Sequence, residues 1–236
     1  MEFLGHTNAI KYIILEIIPT KVSGGDVAQL SALKINGIKL EDRFDYRLDK
    51  NKINDRVDLR DKEIFTIDGE DAKDLDDAVR VEKLQDGNYL LEVHIADVSE
   101  YVKPDSLLDK EAYLRGTSIY MLGRVIPMLP RELSNGICSL NMNEDRFTLS
   151  CSMVINNKGE VVDSKVYKGL IRVTERMNYN DVQKILDKSD EKVLKRYEKY
   201  IPEFELMAEL ANIIKEFESL RLHYQWMKIY QKVKSS

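Results

Sequence analysis

The chain has only two cysteines in 236 residues, and no CxxC pair or Cys/His cluster has the spacing of a metal site. Cys138 and Cys151 are therefore predicted to be free, buried thiols, and the chain to be cytoplasmic. No basic leader precedes an apolar run, and the apolar cluster at residues 10–18 contains charged residues. A membrane span needs about 20 apolar residues, so the sequence predicts neither export nor a membrane segment.

An arrangement for nucleophilic catalysis is also missing. The chain has three histidines, and the sequence offers no Ser/His/Asp or Cys/His arrangement from which to argue. His94, within "EVHIADV", is predicted to be a structural, hydrogen-bonded strand residue in preference to a proton shuttle. The 36 basic and 41 acidic residues give a net charge of −5. This balance argues against a surface coated for nucleic-acid binding, but it is compatible with a confined basic groove.

Turn signals divide the rest of the chain into strands and helices. Residues 1–56 read as a lead-in or linker with a short amphipathic helix at 10–18. Hairpins are predicted around the turns at 86–87 and 157–159, with a helix at 105–117. Further helices are predicted after a cap at Asn178 or Asn180, after a cap at Ser189, and over 202–217. The predicted fold class is mixed α/β, with hairpins in a mixed sheet flanked by helices.

Residues 67–79 read "IDGEDAKDLDDAV", with six acidic residues and one lysine from Asp68 to Asp77. Such a run is commonly an exposed loop. A calcium loop of the EF-hand type needs Asp or Asn at its first, third and fifth positions, and neither possible start fits. The third interpretation is a magnesium site, since Mg²⁺ prefers a few carboxylate oxygens together with water and substrate oxygens. The residue types alone leave the exposed loop and the magnesium site open.

The spacing of the aspartates is compatible with a shared site. If Asp74 and Asp76 begin the first hairpin strand, their side chains point to one face, whereas Asp77 points away unless the strand is bulged. Asp68 would then complete the site from the preceding turn. Apolar residues on both sides of the run would fix it to a core.

Four motifs occur in order: "IDGEDAKDLDDAV", "VHIADVSEYV", "RGTSIYMLGRVIPMLP" and "LSNGICSLN". Together they resemble the catalytic (RNB) domain of the ribonuclease II and ribonuclease R family of 3′-to-5′ exoribonucleases, in character most like the bacterial ribonuclease R branch. The resemblance runs from about residue 57 to about residue 216. It implies the N-terminal half of an RNB-type α/β catalytic domain.

The resemblance also implies an activity and a site. The activity is magnesium-dependent hydrolysis of single-stranded RNA from its 3′ end to nucleoside 5′-monophosphates, without an organic cofactor. The family's metal-site aspartates fall on Asp68, Asp74, Asp76 and Asp77, with Asp76 as the most important catalytic carboxylate. Tyr120 matches the position whose ring stacks on a base near the 3′ end. Read without the family, Tyr120 is a core or surface aromatic at a helix end.

The chain departs from the family pattern at both ends. The cold-shock-type barrels that precede the family's catalytic domain and the S1-type barrel that follows it do not fit into this chain. Residues 217–236 do not match, and the arginine-bearing "HFTSPIRRYPDL" motif is absent. The expectation is a truncated catalytic domain at 57–216 between a linker remnant and an unmatched tail. The alternative is a catalytically inactive remnant that binds a metal or a protein partner.

Overall fold

The computed structural model describes residues 48–121 and 124–234, so the predicted helix at 10–18 lies outside the described residues. Its nine strands are β1 Val57–Asp58, β2 Phe65–Asp68, β3 Asp77–Lys83, β4 Tyr89–Ala96, β5 Ile119–Met121, β6 Arg124–Ile126, β7 Asp145–Ile155, β8 Val161–Arg172 and β9 Glu175–Asn178. Its α-helices are α1 Val98–Tyr101, α2 Leu107–Arg115, α3 Tyr179–Asp187, α4 Glu191–Arg196 and α5 Ile201–Lys234. Short 3₁₀-helices lie at Lys50–Asp55 and Glu198–Tyr200, and a π-helix at Glu132–Ile137.

Seven strands form one mixed sheet in the order β1-β8-β7-β4-β3-β2-β9, while β5 and β6 form a separate antiparallel hairpin. The central pairings are antiparallel, and β1 with β8 and β2 with β9 are parallel. Phe65 pairs with Val79, so the end of β2 lies beside the start of β3. The predicted fold class, a mixed sheet with hairpins and flanking helices, is confirmed.

Each face of the large sheet carries its own apolar core. On one face, Phe65, Val79 and Leu91 pack against the buried stripes of α3 and α5. On the other face, Ala78 and Ala96 pack against α2 and the π-helix. The alternation of the strands supplies both layers, because successive side chains point to opposite faces.

Both predicted hairpins are present. Gly87 adopts a φ of 85° between β3 and β4, and Gly159 a φ of 84° between β7 and β8. Positive φ favours glycine, and Gly159 has a second reason to lack a side chain. A Cβ there would lie 2.6 Å from the Cβ of Phe217 on α5 and 3.0 Å from the Ile213 carbonyl oxygen. The second hairpin turn therefore also packs tightly against the long helix.

The predicted helices occur with changes at their ends. The helix predicted at 105–117 is α2, and Asn178 caps α3 by accepting a hydrogen bond from the Asp181 N–H. The cap predicted at Ser189 is wrong. Asp190 caps α4, because its carboxylate accepts from the N–H groups of Lys192 and Val193. The helix predicted over 202–217 is longer, since α5 continues to Lys234.

His94 is fully buried in the centre of β4, and its Nδ1 lies 2.9 Å from the Ser150 hydroxyl oxygen. Its Nε2 has no hydrogen-bond partner among the described residues. Burial lowers the pKa of His94 to about 4; Arg80 also lowers it, and Glu92 acts in the opposite direction. The predicted position of this histidine, within a strand and hydrogen-bonded, is confirmed.

Stability is expected to fall as the pH falls from about 6.5 towards 4. The unfolded imidazole binds a proton near pH 6.5, whereas burial keeps the folded imidazole neutral down to a pKa of about 4. The unfolded state therefore binds more protons in this window, and roughly 3 kcal/mol of stability is lost across it. Urea titrations of wild type and His94→Asn between these pH values measure the effect. The same dependence of stability on pH in both proteins would contradict the assignment of this effect to His94.

Both cysteines are free and buried, as predicted. Burial raises the pKa of both thiols, that of Cys138 to about 12. Among residues 48–121 and 124–234, no helix combines the length and the apolar character that crossing a membrane requires.

Candidate active site

The acidic run forms a loop at one end of the large sheet. Asp68 is the last residue of β2 and Asp77 the first residue of β3. Because these strands are antiparallel neighbours, the loop at 69–76 leaves and re-enters the sheet at the same end. Asp68 also lies opposite Asn178, where β9 leads into α3. The fold therefore gathers the whole run at one edge.

Two of the predicted positions need correction. Asp74 and Asp76 do not begin the hairpin strand, because β3 starts at Asp77. They lie in the loop, where Leu75 between them is 1% exposed and anchors the backbone in the core. The Ala96 N–H donates a hydrogen bond of 2.9 Å to the Asp76 carbonyl oxygen. The loop is thus fixed to the sheet without being part of it.

The surroundings of the four aspartates differ. Asp76 is exposed, whereas Asp68, Asp74 and Asp77 are half-buried. In the part of the chain that the structure describes, no three acidic, histidine or cysteine side chains form a ready arrangement for a metal ion. The structure therefore brings the four carboxylates to one end of the sheet but does not place them in a completed ligand set. As a donor set, four carboxylates fit a hard divalent cation such as Mg²⁺.

Tyr120 lies at the same edge. It is in the β5–β6 hairpin, where it pairs with Val125, so its expected place at a helix end is wrong. Its hydroxyl donates a hydrogen bond to Oδ2 of Asp74, while 65% of the residue remains exposed. This bond, partial burial and the charges of Asp74 and Asp76 raise the pKa of Tyr120 to about 12. An accessible aromatic ring thus lies directly beside the acidic loop.

Two further residues at this edge received no role from the sequence. Arg176 on β9 and Ser139, between the π-helix and β7, both donate hydrogen bonds to backbone carbonyls of the acidic loop. Ser139 lies within the "LSNGICSLN" motif, which is a signal that could have drawn attention to it. Nothing in the local sequence singles out Arg176, because its importance depends on the pairing of β9 with β2.

Comparison with a protein-family model places an RNB domain over residues 56–227. Ribonuclease R 1 of Lactococcus lactis is 50% identical over 172 residues, which cover 73% of this chain and 21% of that protein. Ribonuclease R of Thermotoga maritima is 53% identical over 170 residues, covering 72% and 24%. The chain therefore spans about a quarter or less of the length of these two curated relatives.

A solved structure gives the same match. Ribonuclease R of Mycoplasma genitalium, in complex with ribose-methylated single-stranded RNA, aligns with a TM-score of 0.66 and 33% sequence identity. The alignment covers 72% of this chain and 26% of that one. Most of this chain therefore aligns with a protein whose structure was solved with RNA.

Proposed function

The chain belongs to the RNB-domain family, and from this premise we propose that it acts on single-stranded RNA as a 3′-to-5′ exoribonuclease that releases nucleoside 5′-monophosphates. Its substrate would be the RNA 3′ end, and its cofactor Mg²⁺. The observation that carries the proposal is the acidic loop, fixed at the sheet edge beside the exposed ring of Tyr120.

The proposed roles of the acidic residues follow from their chemistry. Asp68, Asp74, Asp76 and Asp77 would hold the divalent ion. The family resemblance implies that Asp76 is the most important of these carboxylates, and it is also the most exposed of the four. When bound, such an ion activates water and offsets the negative charge that develops on the phosphodiester. Hydrolysis of this kind needs no protein nucleophile, in keeping with the buried, inert thiols and the buried His94.

Tyr120 would bind the RNA through its ring. An aromatic face stacks on any base, which suits an enzyme that shortens RNA of arbitrary sequence. The phenol bonded to Asp74 would bring the stacked base close to the carboxylates, and so to the bond that is cut. In this arrangement the ring positions the substrate and the acidic loop carries the chemistry.

A direct test uses single-stranded RNA labelled at its 5′ end, incubated with the full chain and Mg²⁺. We expect a ladder of products that shorten progressively from the 3′ end, and no shortening when EDTA removes the metal. Shortening that continues unchanged in EDTA would contradict the metal dependence. RNA that stays intact in Mg²⁺ would contradict the proposed activity of this chain.

Replacing Tyr120 by alanine is expected to weaken RNA binding by about 5- to 150-fold, since a base–aromatic stack contributes about 1–3 kcal/mol. Tyr120→Phe keeps the ring and is expected to bind RNA nearly as wild type does. The matched control is Tyr113→Ala, which removes a tyrosine that is 86% exposed on α2. Fluorescence anisotropy of a labelled RNA, with Asp76→Asn present in every variant to prevent hydrolysis, measures the affinities. Equal losses for Tyr120→Ala and Tyr113→Ala would contradict the stacking role.

A further inference from the structure

The backbone of the acidic loop is held by a side chain from a distant strand. Nη2 of Arg176 donates hydrogen bonds to the carbonyl oxygen of Glu70 at 3.0 Å and to that of Ala72 at 2.6 Å. Arg176 lies on β9, where it pairs with Thr66 of β2. The guanidinium therefore reaches from the sheet to the first half of the loop and ties together segments that are about a hundred residues apart in sequence.

A second side chain holds the other half of the loop. Ser139 is fully buried, and its hydroxyl accepts a hydrogen bond of 3.1 Å from the Leu75 N–H while donating one of 3.0 Å to the Lys73 carbonyl oxygen. Next to it, the Leu140 N–H donates to the Leu75 carbonyl oxygen at 2.8 Å. Nε of Arg146 fixes Ser139 in turn, by donating to its carbonyl oxygen at 2.8 Å.

These contacts lie on both sides of Asp74, in the middle of the loop. The carbonyls of Ala72 and Lys73 and the N–H of Leu75 are all fixed from outside the loop, so the backbone on both sides of Asp74 is held. Carboxylates gathered at one edge repel each other. A loop without such contacts would move them apart and would have to be ordered again when a cation binds.

We infer that Arg176 and Ser139 are positioning residues that hold the carboxylates of the acidic loop in place for a divalent cation. This inference rests on the proposed function and names two side chains that act through the loop backbone without touching RNA. Groups that orient metal ligands affect metal affinity or activity by about 10- to 100-fold when they are removed. Arg176 is the sharper case because it is exposed, so its loss should disturb the loop more than the fold.

Because Arg176 is positively charged, two explanations of its role predict opposite changes in cation affinity. Removing a cation near the carboxylates would by itself strengthen cation binding, because it removes a like-charge repulsion. Loss of positioning has the opposite effect and weakens binding. The direction of the change in affinity therefore separates a positioning role from a simple electrostatic one.

The experiment measures Mn²⁺ binding to the full chain by isothermal titration calorimetry, without RNA. Arg176→Ala is expected to bind Mn²⁺ about 10- to 100-fold more weakly than wild type, with a thermal midpoint close to that of wild type. Arg176→Lys is expected to fall between them, since an ammonium group can donate to at least one of the two carbonyls. The matched control is Arg172→Ala, an exposed arginine on β8 that pairs with Asp145, and it is expected to bind as wild type does.

The possible failures are distinguishable. Saturable Mn²⁺ binding by wild type, with equal or tighter binding by Arg176→Ala, would overturn the inference and leave the proposed function standing. A wild-type chain without saturable Mn²⁺ binding would overturn the proposed metal site, and the inference with it.

Ser139→Ala adds a readout that needs no metal. Faster amide hydrogen exchange over residues 69–76, with protection of β4 unchanged, supports the inference, and unchanged exchange in the loop opposes it.

Discussion

Asp76→Asn is expected to lower the rate of RNA hydrolysis by about 10³-fold or more. A divalent ion contributes several kcal/mol of stabilisation to a developing negative charge, and about 4 kcal/mol corresponds to a factor of about 10³. Asparagine keeps the size of the side chain but loses the negative charge that a cation requires. RNA affinity should not fall, since the substitution removes one negative charge that faces a polyanion. Single-turnover hydrolysis and RNA binding, measured on the same preparation, separate the two effects.

The matched control for this variant is Asp71→Asn. Asp71 lies in the same loop, is exposed, and undergoes the same chemical change. Exposed substitutions away from special features change free energies by about 0.5 kcal/mol or less, so its rate should stay within about twofold of wild type. Equal rate losses in both variants would show that the loop responds to net charge alone, and would contradict the role proposed for Asp76.

Arg56→Ala is expected to destabilise the fold by about 3–5 kcal/mol, the range for removing one partner of a buried ion pair. The Arg56 guanidinium is buried, and its Nη2 lies 2.7 Å from Oδ2 of Asp97 and 3.0 Å from Oε2 of Glu100. Nη1 donates to the carbonyl oxygens of Thr148 and Gly169 at 3.2 and 3.3 Å. Alanine would take this buried donor from Asp97 and from the two carbonyl groups, whereas Glu100 would keep its contacts with Lys52 and Lys103. Urea unfolding should show a lower midpoint with an unchanged slope.

Arg60→Ala provides the comparison for Arg56. Arg60 also contacts two carboxylates, those of Asp58 and Asp145, but its side chain is 33% exposed. Solvent-accessible ion pairs stabilise by about 1 kcal/mol at most. A loss for Arg60→Ala as large as that for Arg56→Ala would contradict the explanation by burial.

The two hairpins of the large sheet could be predicted from the sequence because their signals are local. A turn glycine with positive φ and alternating apolar residues define each hairpin, so β3 with β4 and β7 with β8 follow from short stretches of chain. The parallel partner of β2 could not be found in this way. β9 lies about a hundred residues further on, and it pairs with β2 only because the packing of the whole sheet brings it there.

In the candidate site, too, the local features could be predicted from the sequence, whereas the contacts between distant segments could not. The acidic run was visible as a feature of composition, and the family resemblance assigned the roles of its aspartates and of Tyr120. The position of Asp74 and Asp76 could not be read from alternation, because the buried Leu75 holds them in a loop ahead of the strand. The contacts of Arg176 and Ser139 with the loop could not be found from the sequence, because both side chains donate hydrogen bonds to backbone carbonyls. Every residue type carries such a carbonyl, so the sequence of the loop does not show which side chains hold it.

The most direct measurement for the central claim is the identity of the first product released from RNA. The full chain is incubated in Mg²⁺ with single-stranded RNA labelled at the 3′ end and, separately, at the 5′ end. We expect the 3′ label to appear at once as a nucleoside 5′-monophosphate while the 5′-labelled RNA shortens stepwise, and we expect Asp76→Asn to slow both by about 10³-fold or more. A 3′ label that appears on oligonucleotides instead of mononucleotides, or RNA that remains intact with the wild-type chain, would contradict this expectation.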